Sequence, residues 1–299
     1  MIQKKISIII PSFNSGLTVE HTLKALDLQT RKDLLSEIIV VDSSDDIQTK
    51  RMLSRYESSQ IRVLDAGVKV MPAIGRNIGA RQARGEILAF LDADAYPAYD
   101  WLKNIAEAYE KGCQVGGGCI VLPDFQKNKP IALAQYYLQF NEYMCTGSDR
   151  IKNFVPSCNM FCDRELFQKV GGFPEMRAAE DVLFGLKVNK THQLWFLPKA
   201  KVYHIFRENW KGFLRNQVLL GKYVIIYRKN YYDTLIYKGI VPLMLFPIFL
   251  CIKLLRMVLR IFQSGWHHIY RFMMASPVFL IGLLFWSVGF IKGCIIREE

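Results

Sequence analysis

The stretch Gly85-Glu86-Ile87-Leu88-Ala89-Phe90-Leu91-Asp92-Ala93-Asp94 combines an apolar strand with two carboxylates. The run from Ile87 to Leu91 follows a turn-forming glycine and is typical of a strand buried on both faces of a sheet. Asp92 and Asp94 are two residues apart, so in extended backbone both point to one face. They would lie at the carboxyl edge of the sheet, where open α/β folds bind ligands. Two carboxylates there can hold one divalent cation, or a diphosphate through that cation.

Strands and helices alternate before this stretch. The predicted strands are Ile6–Ile10, Glu37–Val41, Ile61–Leu64 and Ile87–Leu91, and the predicted helices between them are Leu17–Gln29, Ile47–Tyr56 and Ile74–Arg84. Such alternation predicts an α/β fold with a mostly parallel sheet flanked by helices.

A polar cluster follows each predicted strand. The clusters are Pro11-Ser12-Phe13-Asn14, Asp42-Ser43-Ser44-Asp45-Asp46, Asp65, and Asp92 with Asp94. Because the carboxyl ends of parallel strands meet at one edge, these side chains are expected to converge on one crevice. Ser12 and Asn14 fit helix caps as well as they fit ligand contacts.

The charge of the chain is concentrated in its last third. The 299 residues carry a formal net charge of +12, and from residue 201 onward 14 Lys and Arg stand against 4 Asp and Glu. The same third contains the two longest apolar stretches, so the basic excess indicates attraction to an anionic membrane surface. No zinc-finger spacing or RNA-binding signature supports nucleic acid as a partner.

The cysteines and the N-terminus both indicate an intracellular setting. The seven cysteines are an odd number without a Cys-x-x-Cys pair, so the sequence predicts neither a disulfide framework nor a zinc site. Met1 to Lys5 leads directly into a five-residue apolar strand, which is too short for a signal-peptide core. A catalytic part on the cytoplasmic side of the cell membrane is therefore expected.

Four segments together resemble the family 2 glycosyltransferases of the GT-A fold. They are Ile8-Ile9-Ile10-Pro11-Ser12-Phe13-Asn14, Glu37-Ile38-Ile39-Val40-Val41-Asp42, Gly75-Arg76-Asn77-Ile78-Gly79-Ala80 and Phe90-Leu91-Asp92-Ala93-Asp94. Their order and spacing match over roughly residues 5 to 205. The resemblance implies a Rossmann-like GT-A fold and a nucleotide-sugar donor, with a UDP-sugar favoured and a GDP-sugar as the alternative.

The resemblance also implies roles for these residues. The early strand ends, with Pro11, Ser12 and Asn14, would hold the nucleotide, and Asp42 would read its base. Arg76 would approach the base or the diphosphate. Metal ligation would fall to Asp94, with Asp92 on the metal or the ribose, and the metal would be Mn²⁺ or Mg²⁺. Such an ion stabilises the charge that develops on the departing nucleotide.

A second constellation begins at Gly171-Gly172-Phe173 and continues with Glu180 and Asp181 at the start of a predicted helix. Acidic residues at a helix N-terminus are stabilised by the helix dipole, which is sufficient reason for an arbitrary pair to occur there. In the family, a Gly-Gly-Phe turn leading to Glu-Asp carries the general base. The resemblance therefore implies Asp181 as the base, with Glu180 as the fallback, and one displacement that inverts the anomeric configuration.

Two later features bear on the metal and on processivity. His204 lies beside apolar residues and is either a packed side chain or, as in some GT-A enzymes, a further metal ligand. The segment Arg207-Glu208-Asn209-Trp210 departs from the Gln-x-x-Arg-Trp motif of processive synthases. The departure favours the addition of a single sugar, as in a hexosyltransferase.

The C-terminal part predicts membrane association. Ser276–Ile296 contains one charge and is long enough to span a bilayer. Gly239–Ile252 is interrupted by prolines, and either begins a first spanning helix or lies in the interface. The predicted division is a catalytic domain over residues 1–232 and a membrane-associated tail over residues 233–299. An acceptor at the membrane follows, such as a polyprenyl phosphate or a lipid-linked saccharide.

Other functions fit the sequence less well. Asp92-Ala93-Asp94 also resembles the first motif of haloacid-dehalogenase phosphatases, which occurs on an early strand rather than after three strand-helix units. A membrane-anchored protein that binds sugar nucleotides without catalysis remains the non-enzymatic alternative. No phosphate-binding Gly-x-x-x-x-Gly-Lys loop supports a kinase, and no Gly-x-Gly-x-x-Gly follows the first strand.

Overall fold

The computed structural model describes residues 4–296, which form two compact units. The sheet unit comprises residues 4–121 and 145–204, and the helical unit comprises residues 122–144 and 205–296. Each unit is therefore built from two separate segments of the chain. The division at residue 232 stays a prediction, and the predictions for residues 1–3 and 297–299 concern residues outside the described part.

The first four strands of the sheet unit are parallel, as predicted. They are β1 (Ile6–Ser12), β2 (Leu35–Asp42), β3 (Ile61–Asp65) and β4 (Ile87–Leu91), in the spatial order β3-β2-β1-β4. All five residues of β4 are buried, as expected for a strand covered on both faces. In register, Ser12 lies opposite Asp42, and Asp42 lies opposite Asp65. The predicted polar clusters therefore share one edge.

Beyond β4 the sheet is mixed. Its remaining strands are β5 (Ala95–Pro97), β6 (Val115–Val121), β7 (Arg150–Lys152), β8 (Asn159–Asp163) and β9 (Leu194–His204). The order continues from β4 as β8-β6-β9-β5, and β7 also pairs with β9. β8 is antiparallel to both β4 and β6, whereas β6 and β9 are parallel. The mostly parallel arrangement thus describes the first half of the sheet.

Helices flank this sheet. They are α1 (Gly16–Asp27), α2 (Ile47–Tyr56), α3 (Pro72–Gln82), α4 (Trp101–Glu110), α6 (Arg164–Val170) and α7 (Glu180–Val188), with a short 3₁₀ helix at Lys32–Leu34. The N-cap of α2 is Asp46, which accepts a hydrogen bond from the Thr49 backbone N–H at 2.6 Å. Gly171 follows the last residue of α6 in the left-handed conformation, a common way to stop a helix.

A disulfide joins Cys119 and Cys145, whose Cα atoms are 5.1 Å apart. The prediction that the cysteines form no disulfide is therefore wrong for this pair. The two residues are 26 positions apart, and only the folded chain brings them together, at the points where it leaves and re-enters the sheet unit. The free cysteines of the described chain are Cys113, Cys158, Cys162, Cys251 and Cys294. With this pair oxidised, cysteine content no longer argues for a reducing compartment.

The helical unit consists of α5 (Pro130–Phe140), α8 (Trp210–Tyr231), α9 (Val241–Met244), α10 (Phe246–Gln263) and α11 (Trp266–Ile295), with 3₁₀ turns at Asp124–Gln126 and Leu235–Tyr237. α11 begins ten residues before the predicted span at Ser276 and continues through Pro277. The predicted Gly239–Ile252 segment divides into α9 and the start of α10, next to its two prolines.

Within residues 4–296, α11 is the one helix long and apolar enough to cross a bilayer. It has 30 residues, and its most apolar window has a mean hydropathy of 2.1. Half of that window is buried inside the structure, which a core helix of a soluble protein would match equally well. The helix is therefore compatible with a membrane anchor.

Glycines allow α11 and α8 to pack at close range. A Cβ atom at Gly289 of α11 would collide with the Val218 backbone of α8, and one at Gly221 of α8 would collide with the Trp286 carbonyl of α11. Gly293 likewise faces the Lys222 carbonyl. The glycines of α11 thus serve helix packing, as small residues do where helix backbones approach closely.

Replacing Gly289 with leucine is expected to destabilise the helical unit by about 3 kcal/mol, the upper end of the usual cost of overpacking, because backbone atoms block the new side chain. Thermal unfolding in detergent, followed by circular dichroism, would measure the change. Val288→Leu is the matched control, since Val288 is 38% exposed and can accept a larger side chain. Equal unfolding temperatures for both variants would contradict this account of the packing.

Candidate active site

The ends of β1 and β2 hold Asp42 in a fixed orientation. The Ser12 hydroxyl donates to Asp42 Oδ1 at 2.9 Å, and the Ser44 hydroxyl donates to the same oxygen at 2.6 Å. Asp42 is only 3% exposed. Within residues 4–296, the hydrogen bonds to this carboxylate all reach Oδ1. Ser12, predicted to contact a nucleotide, thus orients Asp42, and Oδ2 remains available as an acceptor.

Asn14 connects the loops that follow β1 and β2. Its amide nitrogen donates to Asp45 Oδ1 at 2.6 Å, and its Oδ1 accepts from the Asp45 backbone N–H at 3.2 Å. Its backbone is left-handed, with a φ of 50°. The Asn14 side chain therefore fastens one loop to the other instead of capping α1. Pro11, before it, is half-buried against Gly75 of α3.

A cavity of about 230 Å³ lies beside these loops. Its lining includes Ser43 and Ser44, which follow Asp42, together with Asp65 and Lys69. The Lys69 ammonium lies 3.8 Å from the centre of the Phe13 ring. The cavity thus offers hydroxyl, carboxylate and ammonium groups next to the strand end that the sequence predicts to bind a nucleotide base.

Arg76 bridges two acidic residues from distant parts of the sequence. Its side chain is 2% exposed, and Nη1 donates to Glu180 Oε1 at 2.9 Å while Nη2 pairs with Asp92 Oδ1. Its Nε is buried and has no hydrogen-bond partner among residues 4–296. The guanidinium thus holds two carboxylates, and a contact of Arg76 with base or diphosphate stays a prediction.

Asn77, next to Arg76, connects α3 to the Gly-Gly-Phe turn. Its amide nitrogen donates to the Phe173 carbonyl at 2.8 Å, and its Oδ1 accepts from the Phe173 backbone N–H at 3.0 Å. Phe173 belongs to the Gly171-Gly172-Phe173 turn. In α3, Asn77 thus anchors this turn, and Arg76 anchors the acidic start of α7.

The acidic pair lies at the N-terminus of α7, as predicted. Ala179, which precedes it, has a φ of 67°, a left-handed conformation that alanine seldom adopts. Asp181 Oδ1 accepts from the Val182 backbone N–H at 2.8 Å, and its Oδ2 accepts from the Ser157 backbone N–H at 3.3 Å. The Ser157 hydroxyl reaches Glu180 Oε1 at 3.4 Å. These hydrogen bonds orient both carboxylates.

The environment of Asp181 favours its protonated form. Burial, followed by repulsion from the Glu180 carboxylate, raises the pKa of Asp181 to about 7. The Arg76 guanidinium and two backbone hydrogen bonds act in the opposite direction without cancelling the effect. A carboxyl group with a pKa near neutrality can accept a proton and release it again, which suits general acid-base chemistry.

The three predicted metal ligands lie close to one another. His204 lies opposite Ala95 in the β5–β9 pair, and its Nε2 is 3.6 Å from Asp94 Oδ1. Asp92 and His204 also belong to a group whose ligand atoms all lie within 4.8 Å of one another. Two carboxylates and an imidazole fit a divalent cation that accepts oxygen and nitrogen ligands.

The third member of that group is Cys158, which the sequence analysis did not identify. Cys158 directly precedes β8, whose Asn159 lies opposite Leu91 of β4. The antiparallel pairing therefore brings the Cys158 thiol beside Asp92. Only knowledge that β8 inserts next to β4 could have revealed this neighbour, because Cys158 belongs to no metal-binding spacing in the sequence.

A solved structure has a fold similar to that of this chain. The structure of mannosyltransferase PcManGT from Pyrobaculum calidifontis, in complex with GDP-Man and Mn²⁺, matches with a TM-score of 0.63 at 16% sequence identity. The match covers 100% of this chain and 89% of that chain. The predicted GT-A fold is confirmed.

The chain is similar in sequence to several named glycosyltransferases. Glycosyltransferase AglE of Haloferax volcanii is 27% identical over 172 residues, which are 56% of each chain. A GalNAc(5)-diNAcBac-PP-undecaprenol beta-1,3-glucosyltransferase of Campylobacter jejuni is 31% identical over 121 residues, or 39% of this chain and 38% of that protein. The chain spans about half the length of AglE and less of the second relative. The sequence profile of glycosyl transferase family 2 matches residues 7–171, more than half of the chain, which therefore belongs to this family.

Proposed function

We propose that this enzyme is an inverting, metal-dependent glycosyltransferase that moves one hexose from a UDP-sugar to an acceptor at the membrane. The observation that carries the proposal is the bridge made by Arg76. One guanidinium binds Asp92, a member of the candidate metal group, and Glu180, the neighbour of the candidate base. The bridge therefore holds the metal group, which would face the departing nucleotide, close to the candidate base, which would face the attacking hydroxyl.

The donor side of the site would consist of Asp92, Asp94 and His204. These residues would hold Mn²⁺ or Mg²⁺, which when bound offsets the negative charge of the departing nucleoside diphosphate. Arg76 keeps Asp92 in place through its Nη2 group. Pro11, Ser12 and Asn14 would support nucleotide binding by ordering the strand ends around Asp42, as their contacts suggest.

The acceptor side would consist of Asp181, with Glu180 as its neighbour. Asp181 would take the proton from the acceptor hydroxyl while that oxygen attacks the anomeric carbon from the side opposite the nucleotide. A single displacement inverts the configuration at that carbon. Ser157 and Val182 support this role, because their backbone N–H groups orient the carboxylate.

The hydrogen bonds of Asp42 favour uracil over guanine. Uracil presents one N–H group on its pairing edge, whereas guanine presents an N1–H and an amino group that suit both oxygens of a carboxylate. Two hydroxyl groups already occupy Oδ1 of Asp42, so one oxygen remains for the base. PcManGT, whose structure contains GDP-Man, makes a GDP-sugar the alternative.

The acceptor is proposed to be lipid-linked, for example a polyprenyl phosphate or a lipid-linked saccharide. The Campylobacter jejuni relative is named for a substrate linked to undecaprenol diphosphate. α11 is apolar enough to anchor the enzyme, and the excess of basic residues after residue 200 favours a cytoplasmic catalytic unit under the positive-inside rule.

A donor panel with purified enzyme tests this proposal. With Mn²⁺ or Mg²⁺ and lipid-phosphate acceptors, we expect turnover of a UDP-sugar and little turnover of GDP-sugars. Asp94→Asn should reduce turnover by roughly 10²-fold or more, since metal stabilisation of the leaving group contributes several kcal/mol. Asp33→Asn is the control, because Asp33 is an exposed acid that pairs with Arg31.

Two results would count against the proposal. If the enzyme binds no nucleotide even with metal present, the assignment of the donor site fails. If UDP- and GDP-sugars are used equally well, the argument from the single free oxygen of Asp42 fails, although the metal and base assignments can still hold.

A further inference from the structure

The Cys158 thiol lies inside the candidate metal group. Its sulfur, an oxygen of Asp92 and a nitrogen of His204 are mutually within 4.8 Å. Cys158 is 3% exposed, so the thiol is shielded from solvent. The Arg76 contact with Asp92 uses Oδ1, and the second oxygen can turn to an ion. Three chemically different donors, a carboxylate, an imidazole and a thiol, therefore surround one point.

This donor set differs from the one that Mg²⁺ and Mn²⁺ prefer. Those ions favour oxygen ligands, whereas thiolate and imidazole ligands select Zn²⁺ and Co²⁺. In a tetrahedral zinc site with bonds of about 2.0 to 2.3 Å, neighbouring ligand atoms are about 3.5 Å apart. The present separations are within reach of that geometry through small side-chain rotations.

We propose that Cys158, Asp92 and His204 form a binding site for a thiophilic divalent cation, with Zn²⁺ as the natural candidate. Binding would form a sulfur–metal bond and release the thiol proton to water. Because Asp92 and His204 are shared with the catalytic ion of the proposed function, on which this inference rests, zinc would displace that ion. The enzyme would then be inhibited by zinc through a residue that takes no part in sugar transfer.

A space-filling role is the alternative for Cys158, since small buried thiols often serve only packing. Under that alternative a serine or alanine at the position would leave metal selectivity unchanged. Under the proposal, the sulfur itself becomes a ligand and gives a spectroscopic signal that no oxygen or nitrogen ligand can produce.

Cobalt absorption spectroscopy on the full-length protein in detergent separates the two accounts. Titration with Co²⁺ alone should give a thiolate-to-cobalt charge-transfer band in the near ultraviolet, which added Zn²⁺ removes. Cys158→Ser should abolish the band, and Cys162→Ser should keep it, because Cys162 is equally buried on β8 but lies outside the metal group. An unchanged band in Cys158→Ser, or no band in the wild type, would overturn the proposal.

An activity measurement complements the spectra. In an assay with Mn²⁺, the zinc concentration that halves turnover should rise about tenfold or more in Cys158→Ser, in line with the loss of one ligand interaction. Equal zinc sensitivity of the two proteins would contradict the proposal. If Cys158→Ser does not fold, Cys158→Ala replaces it in both measurements.

These experiments can refute the zinc site and the proposed transfer reaction independently of each other. If no donor is turned over but the Cys158-dependent band appears, the zinc site stands and the proposed transfer reaction falls. If a UDP-sugar is turned over but the band is absent, the transfer reaction stands and the zinc site falls.

Discussion

Replacing Asp181 with asparagine is expected to reduce sugar transfer by roughly 10²- to 10⁴-fold, the usual contribution of a general base. Nucleotide binding should be nearly unchanged, because Asp181 contacts Ser157 and Val182 and not the residues proposed to hold the nucleotide. Initial rates at saturating donor, together with donor affinity measured by calorimetry, would check both statements.

The dependence of the rate on pH follows from the same group. Asp181 must be ionised to accept a proton, and burial beside Glu180 raises the pKa of Asp181 to about 7. The rate should therefore rise with pH up to about neutrality and then become constant. A bound divalent cation would lower the pKa of Asp181 and move the rise to lower pH. A rate that falls with increasing pH between about pH 5 and pH 8 would contradict the assignment.

Stability should change in the opposite direction from activity. In an unfolded chain Asp has a pKa of about 3.9, and a raised pKa in the fold means that the folded state loses stability as pH increases from there to about 7. Three pKa units correspond to about 4 kcal/mol at most. Asp181→Asn should therefore unfold at a higher temperature than the wild type at about pH 8, and at nearly the same temperature at about pH 4.

Glu180→Gln identifies which carboxylate is the base. Glu180 accepts from Arg76 Nη1, so its neutral variant should lose stability and some activity through disturbed positioning. If Glu180→Gln abolishes transfer while Asp181→Asn retains it, the base is Glu180 and the assignment made here is wrong.

Replacing Arg76 with methionine should lower the free energy of unfolding by about 3 to 5 kcal/mol, the usual cost of removing one partner from a buried ion pair. Asp92, Glu180 and Asp181 would then repel one another without the guanidinium between them. Denaturant unfolding in detergent would measure the loss. Transfer should be lost as well, because the bridge orients Asp92.

Two further variants show whether the loss of stability in Arg76→Met comes from the bridge. Arg76→Lys keeps the charge but cannot reach both carboxylates as a planar fork does, so it should restore only part of the stability. Arg84→Met is the matched control, since the Arg84 side chain is 71% exposed and lies 4.0 Å from Glu37. If Arg76→Met is no less stable than Arg84→Met, the bridge is not a structural element of the site.

The sequence predicts the first half of the sheet well because periodicity is a local signal. The predicted limits of β4 and α2 agree with the structure, and β1 to β3 are each one to three residues longer than predicted. The second half depends on pairing between distant segments. Nothing within Asn159–Asp163 indicates that this strand inserts beside β4 in antiparallel orientation, and the mixed sheet follows from that insertion.

The residues of the candidate site also divide into those that a local motif predicts and those that depend on contacts between distant segments. Asp92, Asp94 and Asp181 could be proposed because each belongs to a motif of a few consecutive residues. The Arg76 bridge and the Cys158 thiol could not, since each depends on side chains separated by tens of residues and united only by packing. The Cys119–Cys145 pair was missed for the same reason.

The interleaved arrangement of the two units has a consequence for synthesis on the ribosome. α5 (Pro130–Phe140) lies between two segments of the sheet unit in sequence, yet Leu133 and Tyr137 are buried in one cluster with Phe279 and Leu283 of α11. Domains generally fold in the order in which they leave the ribosome. The sheet unit can thus be complete while α5 still exposes its apolar side chains, and these become buried only after α11 has emerged.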